Sequence, residues 1–112
     1  LKEILSKIEG FTLDSEAHKF EHSLEVQLPF LQFFASKEFK ILPIVLSLLH
    51  YHDAVYIGSQ LGKILEPIKE EVLIVISSDM SHYIPAEKAK QLDFMAIECL
   101  EKLDTECLYH RV

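Results

Sequence analysis

"VLIVISSDMSHY", Val72 to Tyr83, decides how this chain is read. Five apolar residues, four of them β-branched, give way at once to Ser77, Ser78, Asp79, Ser81 and His82. A short apolar run without alternation reads as a strand buried on both faces, as in a parallel sheet. "FKILPIVL", Phe39 to Leu46, reads as a second such strand. Pro43 within it suits only an edge or a bulge.

Outward from these runs the pattern is helical. Leu1, Ile4, Leu5 and Ile8 suggest the end of an amphipathic helix closed by Gly10. Asp14 and Ser15 are helix-start residues. Leu24, Leu28, Leu31 and Ala35 give an apolar stripe over residues 18–36. Pro29 either kinks this helix or stands in the first turn of a second one. Residues 52–68 read as a helix with Val55, Leu61, Ile64 and Leu65 inward. Residues 85–103 read as another, with Leu92, Met95, Ala96, Cys99 and Leu103 inward. Helix, strand, helix, strand, helix defines an α/β fold with neighbouring parallel strands.

Composition narrows the function. With 112 residues the chain is at most one domain, and 49% apolar content makes it globular. A formal charge of -7, with no basic run, argues against a nucleic-acid partner. No apolar stretch is long enough to cross a bilayer. Cys99 and Cys107 fit neither a zinc spacing nor a secreted disulfide scaffold, so a reducing cytoplasmic setting is the default. Cys99 reads as a small core residue. The chain starts at Leu1 within a helical pattern and reads as an internal piece of a longer domain, residues 1–112 lacking N-terminal and C-terminal parts. Leu24, Leu28, Phe30, Phe33 and Phe34 should then include exposed large side chains, a surface for association.

Sites in open α/β sheets gather beyond the carboxyl ends of strands, where Asp79 and His82 stand. A carboxylate can fix an imidazole's tautomer and raise its basicity, which suits a general acid or base. A helix start capped by Asp79 or Ser81, with His82 a bystander, explains the same spacing. "EHSLEVQLPFLQ", Glu21 to Gln32, offers His22 and Glu25 one turn apart as a polar pair facing a pocket. The alternative there is a solvated charged face. "HKFEH", His18 to His22, also fits the inverted zincin pattern, with both histidines on one helix face and Glu21 as base of a metalloprotease. Short patterns of this kind often match by chance.

Together, "EHSLEVQLPFLQ", "FKILPIVL" and "VISSDMSHY" resemble the Memo family in wording, order and spacing. The resemblance implies the fold of class III extradiol dioxygenases, a three-layer α/β/α sandwich around a mixed, largely parallel sheet. It implies a pocket for a redox metal, iron(II) or copper, and a small molecule or peptide as ligand. His82, with Asp79, matches the acid–base side of that pocket; His22, Glu25 and Ser81 match its substrate side. The family's metal ligands lie in "PHAGY"-like and "PSHH"-like motifs and in a cysteine followed by Gly. Neither motif occurs here, and Leu follows both cysteines, so no metal ligand is assigned within this chain. Two function classes stay open: a metal-dependent oxidoreductase-like enzyme, or a non-catalytic signalling protein that binds a peptide or metal in the same pocket. If both motifs serve one pocket, the His22 and His82 rings should lie within about 10 Å, the span of an ordinary ligand site.

Overall fold

Local sequence chemistry accounts for most of the helices. The structure, a computed structural model, describes residues 5–111. It divides into two compact units, Leu1–Ser77 and Ser78–Val112.

In the first unit, residues 6–10 form turns and a bend, so the helix expected up to Gly10 does not reach it; Gly10 takes its left-handed φ of 92° within the turn closed by the Phe11 amide on the Ile8 carbonyl at 3.1 Å. The start of the helix expected over residues 1–9 lies outside the described residues. Asp14 Oδ1 accepts the amides of Glu16 and Ala17 at 2.8 and 3.3 Å, closing a turn rather than starting a long helix. A 3-10 turn, Glu25–Gln27, leads into α1, Leu28–Phe34, with Pro29 in its first turn. There the missing proline N–H costs nothing, so Pro29 opens a helix instead of bending one.

Helix α2 spans Tyr51–Leu65, with Asp53 in its first turn and Lys63 in its last, matching the helix dipole. The expected helix to Ile68 changes character three residues earlier. Pro67 brings no N–H, and the chain tightens into a 3-10 segment, Glu66–Glu71, in which Ile68 leaves helical geometry at φ -125°. Of α2's side chains Ile57 is the buried one; Leu61, Ile64 and Leu65 are half-buried and Val55 is exposed.

The second unit holds α3, Ala86–Glu101, and α4, Thr105–Tyr109. Ala96 and Cys99 are buried on α3, as their stripe implied, but Leu92 and Met95 of the same stripe are exposed, as is Leu103 beyond its end. The turn between the helices is a Schellman closure. The Leu103 amide donates to the Leu100 carbonyl at 3.0 Å, and the Asp104 amide donates to the Cys99 carbonyl at 2.9 Å. Leu103 carries the left-handed φ of 52° that this closure requires. Asp104 then caps α4, its Oδ1 accepting the Cys107 amide at 2.9 Å.

The α/β expectation, and with it the parallel sheet of an α/β/α sandwich, is overturned. Among the described residues there is no strand, and neither residues 39–46 nor 72–76 form one. Burial disagrees too: Leu73 is 77% and Ile76 84% exposed, where a central strand would hide both. A strand is made by ladder hydrogen bonds to a neighbour. β-Branched composition favours extended backbone but supplies no partner, and here the two runs do not pair. Phe30, Phe33 and Phe34 are exposed, whereas Leu24 and Leu28 are half-buried. No helix among the described residues is long and apolar enough to cross a membrane.

Candidate acid–base site

In the second unit, the chain between Ser78 and Pro85 is a loop leading into α3. His82 Nε2 lies 3.3 Å from Asp79 Oδ2 within that loop. Both side chains are open to solvent, at 57% and 84% exposure. Such an exposed pair contributes only about 0–1 kcal/mol to stability. The helix-start alternative fails, because the N-cap of α3 is Pro85 and no side chain caps it. Asp79 and Ser81 are therefore free of that duty.

One bond ties the loop to α3, and one residue in it carries an unusual backbone. The Ser81 amide donates to Asp93 Oδ1, on α3, at 3.1 Å. Tyr83, immediately after His82, has a φ of 55°, uncommon for a residue with a side chain. Local strain of this kind clusters at functional sites. Asp93 was missed in the sequence, although a signal was present. It stands three residues before Ala96, on the stripe that was read as wholly apolar. Ser78 Oγ donates to the Asp79 carbonyl at 3.1 Å, a further contact within the loop.

In the first unit, residues 18–20 form a turn and a bend and residues 21–22 are irregular, so 18–22 are not a helix. The zincin pattern needs its histidines one helical turn apart, so that face does not exist here. No group of three or more His, Cys, Asp or Glu among the described residues is placed to hold a metal. His22 is exposed, and its carbonyl accepts the Val26 amide at 3.1 Å. Glu25 lines a depression of about 270 Å³ together with His18, Lys19, Glu21, Leu24, Leu28, Ile41 and Pro43. That volume falls just short of the range of roughly 300–1,000 Å³ usual for ligand sites. The Glu21 carboxylate accepts the Ser23 amide at 2.6 Å. This backbone hydrogen bond, with the Ser23 hydroxyl next in weight, holds the Glu21 carboxyl below the ordinary glutamate range. Gln27 Nε2 donates to Ser77 Oγ at 3.2 Å, tying the 3-10 turn to the end of the apolar run.

Asp79, Ser81 and His82 are thus brought together in one unit, while His22 and Glu25 belong to the other. A loop that presents an imidazole against a carboxylate, braced by a helix aspartate, can move protons at a bound group. Residues 1–112 match the family model described as "Memo-like protein". The chain belongs to the Memo family. A "MEMO1 family protein" of Aquifex aeolicus is 51% identical over 111 residues, covering 99% of this chain and 41% of the relative. Relatives with the same description in Sulfurisphaera tokodaii and Methanococcoides burtonii are 40% and 37% identical. They cover 98% and 88% of this chain, and 39% and 38% of their own lengths. The chain therefore spans about two-fifths of the curated relatives it matches. No solved structure matches it.

Proposed function

We propose that this chain supplies the proton-transferring residues of a Memo-family protein related to the class III extradiol dioxygenases, acting on a small molecule with an acidic hydroxyl such as a catechol. The observation that carries the proposal is the 3.3 Å contact of His82 Nε2 with Asp79 Oδ2. A carboxylate beside Nε2 favours the tautomer that carries its proton there, which leaves the Nδ1 lone pair to act as base. His82 takes the hydroxyl proton and returns it; Asp79 steadies the imidazolium formed between the two events. Asp93, through the Ser81 amide, positions the loop.

The family resemblance implies iron(II) or copper. The described residues do not fit either ion: none of their carboxylate, imidazole and thiolate groups form a ligand set, and Cys99 is bonded to Cys107.

Oxygen uptake by the full-length protein on catechols tests the proposal, with His82→Ala beside the unaltered protein. Loss of turnover in a folded variant is expected. Binding of the catechol without turnover in the unaltered protein would instead favour the non-catalytic binding role.

A further inference from the structure

The second unit contains a covalent link that the acid–base reading does not use. Cys99, near the end of α3, is bonded to Cys107 of α4, eight positions later, with the Cα atoms 5.6 Å apart. The sequence reading of Cys99 as a small core residue did not anticipate this bond. The span between them is the Schellman turn already described, with Leu103 in its left-handed conformation.

Two observations bear on whether the link is permanent. Cys99 is only 2% exposed, whereas Cys107 is half-buried. The two residues are thus unequally exposed, and Cys107 is the more open of the two to an attacking thiol. In addition, Cys99 Sγ lies 3.2 Å from the Met95 carbonyl oxygen, one turn back on the same helix. A disulfide sulfur has no proton to give that oxygen. A reduced Cys99 does, so opening the bond leaves the buried thiol with an acceptor already in place. Burying a polar group is costly only when it lacks a partner.

We propose that Cys99–Cys107 is a reversible redox clip, exchanged with a glutathione-type thiol–disulfide couple through Cys107, which fastens α4 to the end of α3. In the reducing direction a thiolate attacks Cys107 Sγ. A mixed disulfide forms there, the Sγ–Sγ bond breaks, and its electron pair leaves with Cys99 Sγ, which takes a proton from water. A second thiolate attacks the outer sulfur of the mixed disulfide. That step releases Cys107 as thiolate, which takes a proton from water in turn, and yields the small-molecule disulfide. The protein gains two electrons and two protons, and two small thiols are oxidised to one disulfide. Oxidation runs the same steps backward, with Cys107 as attacking thiolate and Cys99 closing the bond.

The full-length protein, equilibrated over a series of glutathione to glutathione disulfide ratios, trapped with a maleimide and digested, tests this. The Cys99 and Cys107 thiols should appear together, with a second-power dependence on glutathione. In Cys99→Ser, glutathione should be found on Cys107; in Cys107→Ser, Cys99 should react at least about tenfold more slowly, because access controls exchange. Hydrogen exchange of the Thr105–Tyr109 amides should quicken by roughly 10–100-fold on reduction, as expected when so short a closed loop is released. Independent titration of the two thiols, a bond intact at every ratio, equal reactivity in the two variants, or unchanged exchange in α4 would each overturn the proposal. The measurements on the unaltered protein decide the matter even where a variant fails to fold.

Discussion

Asp93 holds the backbone of Ser81: its Oδ1 accepts the Ser81 amide at 3.1 Å across twelve positions of sequence. The bond links the first half of α3 to the loop that carries Asp79 and His82. Hydrogen bonds to charged groups are worth about 1.5–3 kcal/mol when shielded, and this half-buried one falls toward the lower end. Asp93→Ala should therefore speed exchange of the Ser81 amide by about tenfold, measured by NMR. Asp93→Asn, which keeps an acceptor oxygen, should give a smaller change. An unaltered Ser81 amide in Asp93→Ala would show that the loop is held by something else.

Leu103 occupies a left-handed position at the α3–α4 turn, with its side chain 86% exposed. Strain there costs about 1–2 kcal/mol, partly offset by the entropy that glycine loses on folding. Leu103→Gly should raise the unfolding free energy by about 0.5–1 kcal/mol, read from chemical denaturation. A lower midpoint would mean that the Leu103 side chain stabilises the turn more than its backbone strains it.

Asp104 joins the same turn to α4 through its bond to the Cys107 amide. Removal of such a cap costs about 1 kcal/mol. Asp104→Ala should lose that amount in thermal or chemical unfolding, while Asp104→Asn or Asp104→Ser should recover most of it. Equal losses in all three would contradict a capping role.

Glu21 supplies the pH dependence. Its folded carboxyl is held below its ordinary value, first by the Ser23 amide and then by the Ser23 hydroxyl. A depressed carboxylate contributes stability that is present above its unfolded pKa and lost as pH falls through the folded one. The Ser23 amide should therefore stay protected through the usual glutamate range and lose protection only below it. In Glu21→Gln that acid-linked change should vanish, as followed by amide shifts. Loss of protection already at the ordinary glutamate pKa would remove the bond from the account.

Particular residues show what the sequence could and could not convey. Pro29 and the burial of Ala96 and Cys99 were legible because each acts through its own backbone or the helical period. The runs at 39–46 and 72–76 misled because apolar, β-branched composition speaks to extended backbone, while a strand depends on a partner that composition does not reveal. The Asp79–His82 pair was legible from three-residue spacing at the end of an apolar run. Asp93 was not, since a single carboxylate on a helix stripe reads as surface until the loop opposite it is known. The Cys99–Cys107 bond was hidden for a similar reason: their spacing matches no familiar pattern, and the turn that joins them depends on a left-handed leucine.

His82 carries the central claim. General acid–base groups contribute roughly 10²–10⁴-fold to rate, whereas an exposed loop pair adds little to stability. The most direct measurement is turnover of a catechol by the full-length protein and its His82→Ala variant, taken with their thermal midpoints. The account predicts a fall of at least about 100-fold in kcat with a midpoint shifted by no more than a few degrees. Unchanged kcat in a folded His82→Ala protein would contradict it.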